Sequence, residues 1–244
     1  MKILVLILSF LILFFSCKKA EDRDCFKSYG ELTQLEYSID SVQEFKLYEG
    51  IEYRFYQNNS RKIIVKGGRN VVNFIDINSK DFITSINNLN SCNFLRDYDD
   101  KIIVEIHYPH YHSIYAEPTE PMRFIDTLTG DYVTIKLKNG GESLDLNVNI
   151  KSLYLKVSIG TSNINVYGTT NDIHLSTQNF GRINALGVVS NSVFVHQGSA
   201  TDMLVNFSNS KAIVNFFGNG DVLYLGVPTE LTITGQGDGE VLTY

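Results

Sequence analysis

After residue 25 the chain alternates in short bursts. Segments such as FKLYEGIEYRFY, KIIVKGG and KIIVEIHYP place apolar side chains at every second position, and clusters of Gly, Asn, Ser, Thr and Asp separate them. Successive side chains of a strand point to opposite sides, so this alternation suits strands with one buried face. No window shows sustained helical periodicity, and the class is therefore all-β. The stretch VVNFIDINSKDFITSI, from Val71, is ambiguous between element types.

From about residue 133 the strands become regular enough to count. They begin at Leu144, Leu153, Ile164, Ile173, Ile183, Val193, Met203, Ala212, Val222, Leu231 and Val241, a step of 9 to 11 residues. Meandering sandwiches share that step, but the step of two strands is more telling. LYLKV at 153, IHLST at 173, VFVHQ at 193, AIVNF at 212 and LTITG at 231 form one series, spaced 20, 20, 19 and 19. LDLNV, INVYG, INALG, MLVNF, VLYLG and EVLTY form the other, and Gly168, Gly187 and Gly226 end three of its strands. Two alternating strand types with one period are what a parallel β-solenoid of roughly 20-residue, two-strand coils produces. Neighbouring coils lie one strand spacing apart, roughly 4.8 Å, so inward residues must form ladders of similar size. Leu155, Leu175, Val195, Val214 and Ile233 meet that demand on one side; Leu146, Val166, Ala185 and Val205 meet it on the other. The turn segments recur at matching places, the pair GNGD at 218 and GDGE at 237 among them. Gly, Asn and Asp suit such corners because they tolerate positive φ.

The N-terminal residues add location. MKILVLILSFLILFFS is one lysine followed by an uncharged apolar run, too short for an ordinary membrane span. Cys17 follows, then the charged stretch KKAEDRD. A hydrophobic run ending in LFFSC resembles a bacterial lipoprotein signal, in which Cys17 takes a lipid; a plain secretory signal or an N-terminal anchor helix are the alternatives. The organisation expected is a signal over 1–16, a lipidated Cys17 and charged tether over 17–34, a less regular β-rich module over 35–125 that covers one solenoid end, and solenoid repeats over 126–244. The expected location is the cell envelope, as an outer-membrane lipoprotein held through Cys17, with surface display a further expectation. Cys25 and Cys92 remain as a candidate disulfide in an oxidising compartment. A formal net charge of -6 leaves no basic footprint for nucleic acid.

With these features in place the chain resembles a known family, the exported head GIN domain proteins described as auto-transporter adhesin heads. The likeness rests on Phe45-Lys-Leu-Tyr-Glu-Gly-Ile51, IIVKGGRNVV from Ile63, KIIVEIHYPHYHSI with Pro109, the repeated small-residue turns, and the closing GNGDVLYLGVP and GQGDGEV. The resemblance implies a β-solenoid-like exported domain with no established enzymatic activity.

Candidate chemistry is sparse. GNGD is followed by a strand and no Gly-Lys pair occurs, so neither glycine cluster reads as a phosphate loop. Asn163, Arg182, Asp202, Asp221 and Glu240 precede the strands of the second series; Asp202, Asp221 and Glu240 are weak candidates for a hard cation, against solvated turn acids. His110 and His112 would share a strand face and could hold zinc, against a strand ending at Pro109 with exposed aromatic and imidazole side chains. No metal, no cofactor and no catalytic group are expected; polysaccharide lyases on β-helices keep a carbohydrate-active enzyme as the rival class, and a purely structural envelope component is the third reading. The outward column Tyr154, His174, Phe194, Ile213, Thr232 is the candidate partner surface, for a glycan or a protein. Leu186, Leu204, Leu223, Leu225 and Leu242 add outward apolar positions, and cover by the N-terminal module or by a second copy of the chain is the competing account.

Overall fold

The computed structural model describes residues 28–91 and 100–244. Cys17, Cys25 and Cys92 lie outside the described residues, and with them the lipidation site and the candidate disulfide. In chain order the first strands are β1 (Leu32–Ser38), β2 (Glu44–Leu47), β3 (Glu52–Gln57) and β4 (Lys62–Gly68). A single helical turn, α1 (Arg69–Val72), leads to β5 (Ile75–Lys80) and β6 (Ile83–Asn88). Then come β7 (Ile103–Tyr108), β8 (Ser113–Ala116), β9 (Met122–Phe124), β10 (Leu128–Leu137), β11 (Ser143–Val157), β12 (Asn163–Asn179) and β13 (Arg182–Ser199). The chain closes with β14 (Met203–Asn206), β15 (Lys211–Phe216), β16 (Val222–Leu225), β17 (Glu230–Gly235) and β18 (Val241–Thr243). No helix among the described residues is long and apolar enough to cross a membrane.

These strands build the two walls of a parallel β-solenoid. The first wall runs β6, β2, β8, β10, β11, β12, β13, β15, β17, and the second runs β7, β3, β9, β11, β12, β13, β14, β16, β18. Strands β11, β12 and β13 belong to both because each bends at a corner. The pairing of β11 with β12 steps from Ile150 and Thr170 to Ser152 and Asp172, leaving Lys151 and Asn171 outside the ladder and exposed. The inward ladder expected on the first wall is in register: Leu155 faces Leu175, then Val195, Val214 and Ile233. On the second wall Leu146 faces Val166 and Ala185 faces Val205. Between them a bulge shifts the register after Asn165, so Tyr167 faces Gly187 and Gly168 faces Val188. The terminal glycines of these strands therefore do not stack as the spacing suggested: a side chain at Gly187 would strike the Tyr167 ring, 2.4 Å from its Cδ1.

The two glycine clusters near the end are consecutive corners of the stack. A Cβ on Gly237 would lie 2.2 Å from the Gly218 carbonyl oxygen, and one on Gly239 would lie 2.3 Å from that of Gly220. Neither pair has positive φ, which correction narrows the reason for glycine here to backbone packed against backbone.

Residues 44–124 already stack as coils, and the change near residue 126 is one of strand length and coil order. Strand β2 pairs with β6 on one side and β8 on the other, and β3 likewise with β7 and β9. The coil that comes first in the chain thus sits between two later ones. Beyond it, antiparallel strands cover the end: β5 on β6, β4 on β7, and β1 on β4. The ambiguous stretch after Val71 resolves as the last of α1 and this β5–β6 hairpin, whose turn residues Asp81 and Phe82 take φ of 51° and 63°. Helix α1 buries Val71 and Val72 against the same end of the core. An exposed end would leave a row of unpaired backbone groups, and antiparallel strands remove part of it. At the other end, β17 and β18 pair on one side only among the described residues.

Candidate functional site

The outer surface of the first wall carries one column of rings. Register places Tyr154 beside His174, then Phe194, Ile213 and Thr232, all pointing away from the core because Leu155, Leu175 and Val195 next to them point in. Rings on adjacent parallel strands are brought within stacking reach by the strand spacing itself. His174 and Phe194 stack at 4.4 Å between centroids with 10° between planes, and Tyr154 lies tilted at 6.3 Å from His174. Mutual stacking leaves these rings half-buried. Partial burial holds the His174 imidazole below its ordinary value; Asp172 opposes that shift and His196 adds to it.

Two residues further along each strand runs a second outward column, Lys136, Lys156, Ser176, His196 and Asn215. Ser176 is its short member. Around it opens a groove of about 470 Å³ lined by Tyr154, Lys156, His174, Gln178, His196 and Phe217 among others. The Phe217 ring lies parallel to His196 at 6.1 Å. Sequence reasoning missed this column, although residues 136, 156, 176 and 196 follow the period of 20 and could have been found by it. Nothing among the described residues folds back over the ring column. The N-terminal strands extend the stack along its axis and do not cover its side, so that half of the competing account does not hold for them.

The other candidates have structural partners. The Asp202 carboxylate accepts the Asp221 amide at 3.1 Å, and the Asp221 carboxylate accepts the Glu240 amide at 2.9 Å. These acids tie each corner to the next, and among the described residues no three His, Cys, Asp or Glu side chains gather to hold a metal. Tyr108 and Tyr111, expected outside with the histidines, are buried in the core. The Tyr111 hydroxyl donates to the Ile106 carbonyl at 2.8 Å, and that of Tyr108 to the Val42 carbonyl at 3.2 Å. His107 stacks on Tyr56 at 4.5 Å, while His110 and His112 are exposed. His112 lines a second groove of about 520 Å³ with Glu44, Tyr132 and Lys136. On the second wall Leu204, Leu223 and Leu242 form one outward column, whereas Leu186 stands beyond the bulge and Leu225 faces Asn206.

A family model described as "Putative auto-transporter adhesin, head GIN domain" matches residues 43–228. No curated protein matches the chain. Among solved structures, a "putative adhesin" of Bacteroides fragilis superposes with a TM-score of 0.76 at 19% identity, covering 88% of this chain and 97% of that one. A "putative adhesin" of Parabacteroides distasonis reaches 0.58 at 23% identity, over 87% and 98% of the two chains. A "Putative lipid binding protein" of the same species reaches 0.63 at 14% identity, over 88% and 97%. At these identities the likeness is one of fold.

Proposed function

The chain belongs to the head GIN domain family, and from that premise we propose that it is a lipid-anchored cell-envelope protein whose β-solenoid presents its first wall to a glycan or protein partner without catalysis. The observation that carries this reading is the in-register column Tyr154, His174, Phe194, whose rings stack on one another and face outward from a rigid wall. Rigid, mutually packed aromatic side chains lose little freedom when a partner docks, which is why such groups recur at contact sites. A lipid at Cys17 and the following charged tether would hold that wall off the membrane surface. Three carboxylates are held in ion pairs: Glu52 with Arg54 at 2.7 Å, Glu105 with Lys66 at 2.7 Å and Asp131 with Lys151 at 2.6 Å. Those pairings leave these three carboxylates unsuited to acid–base chemistry, which supports the binding reading.

Adhesion of cells bearing the full chain is expected to fall when Tyr154 and Phe194 are both replaced by Ala, with surface level and circular dichroism unchanged. Unaltered adhesion would remove the wall from the proposal, and turnover of any purified polysaccharide would remove its non-catalytic part. Cys17→Ala should move the protein from the membrane to the soluble fraction; retention there would defeat the lipid anchor. Protease treatment of intact cells should cleave the protein if it is displayed at the surface.

A further inference from the structure

The protein is acidic as a whole, yet the first wall bears two adjacent free lysines. Lys136 and Lys156 are direct partners in adjacent coils. No carboxylate among the described residues lies within ion-pair reach of either, the limit at which Lys46, beyond Tyr115 in the same row, meets Glu44 at 4.0 Å. Past Lys156, Ser176 is 8% exposed and forms the floor of the groove, with Lys156 one coil to one side and His196 one coil to the other. The ring column lies immediately alongside. The two lysines occupy the coils of β10 and β11 and the rings those of β11, β12 and β13, so a cationic pair and an apolar ladder run side by side along the solenoid axis with one strand spacing, roughly 4.8 Å, between levels. A pyranose unit of an extended polysaccharide has a similar length. Its C–H face is apolar and can pack along the outward edges of the stacked rings, while a carboxylate on its rim points sideways.

We infer that this wall binds an acidic polysaccharide running along the solenoid axis, with the carboxylates of the units over β10 and β11 on Lys136 and Lys156 and successive units packed against Tyr154, His174 and Phe194. The inference rests on the reading of the ring column as a contact surface and adds to it the class of ligand. Charge complementarity carries the choice: Lys136 and Lys156 are adjacent cations with no carboxylate in ion-pair reach, which an acidic glycan would pair and a neutral one would leave unused. The ligand is a polymer, because one sugar spans one coil while the rings and cations extend over several.

The test uses the full chain, with polygalacturonate, neutral dextran and poly-glutamate as probes in a surface-binding measurement. Polygalacturonate is expected to bind in preference to both others and to weaken as salt is raised. Replacing Lys136 and Lys156 together by Gln should weaken it about tenfold. Lys211→Gln, which removes a cation already paired with Glu230 at 3.5 Å, should leave it unchanged. Equal binding of dextran, or binding insensitive to salt and to the lysine pair, would overturn the inference while Tyr154→Ala with Phe194→Ala still abolishes contact, leaving the broader reading intact. Poly-glutamate bound as tightly as polygalacturonate would overturn the glycan class. If the ring substitutions change neither polysaccharide binding nor cell adhesion, the broader reading falls with it.

Discussion

The N-terminal coils and the C-terminal coils fill the same two-walled stack with different material. Around β2, β3, β7 and β9 the interior is aromatic: Phe45, Tyr108 and Tyr111 pack together, and Phe55 stacks on Phe124 at 4.5 Å with Tyr111 against both. From β11 onward it is mostly single-file Leu, Val and Ile ladders, with Phe207 and Phe216 as its buried rings. Rings leave hydroxyls inside that must be satisfied, and the Tyr53 hydroxyl accordingly donates to the Tyr48 carbonyl at 2.9 Å. Burial then pushes the phenols of Tyr53 and Tyr111 far above their ordinary value, so they stay neutral donors. Aliphatic ladders need no such partners and can repeat. The consequence is uneven protection: the ring-filled end is closed by α1, β5, β4 and β1, whereas in the last coil Ile233 is 53% exposed although Val214, its neighbour in the ladder, is fully buried.

The largest effect should come from the ring-filled end. Tyr111→Ala removes a side chain shared by four other rings and leaves the Ile106 carbonyl unpaired by it; it should cost about 3–5 kcal/mol in chemical denaturation. A cost no greater than that of a surface substitution would erase the contrast between the ends. Next comes Val214→Ala against Ile233→Ala: about 2–3 kcal/mol for the buried position and less than about 1 kcal/mol for the exposed one. Equal costs would mean that the last coil is covered in solution. The stacked corners sharpen the comparison further. Gly220→Ala drives a methyl to within 2.3 Å of the Thr201 carbonyl and should cost about 1–3 kcal/mol. Gly239→Ala meets the Gly220 carbonyl as closely but on a coil free to shift outward, so a smaller loss is expected, visible as faster hydrogen exchange confined to β17 and β18.

The smallest effect concerns pH. His174 has a folded value held below the usual 6.5, so the unfolded chain takes up the proton first. The stability present above the unfolded value is therefore lost as pH falls through the folded one. His174→Gln should flatten that part of the profile in thermal melts at mildly acid pH; an unchanged slope would show that the histidine is open to solvent.

Regularity decided what could be read without the fold. The inward ladder Leu155 to Ile233 and the outward one Tyr154 to Thr232 came directly from the two-strand period, because stacking demands like against like at each level. The basic row had the same period and was overlooked because Ser176 interrupts it. Tyr108 and Tyr111 could not be placed, since a strand ending at Pro109 says nothing about which later turn carries its rings back inside. The bulge after Asn165 was equally hidden: Gly168 and Gly187 occupy matching places in the repeat, and only the fit of the Tyr167 ring over Gly187 shows that they are offset.

By itself, then, the sequence determined an all-β chain, its 19- to 20-residue coil from Leu144 onward, and the two faces of each wall, since local alternation and like-on-like stacking are properties of neighbouring residues. Tertiary structure alone decided that β2 and β3 lie between coils that follow them in the chain, that antiparallel strands close one end only, and that Lys156, Ser176 and His196 enclose a groove beside the rings. Those outcomes depend on which distant segments win a place on an edge, a competition among long-range pairings that no local pattern records.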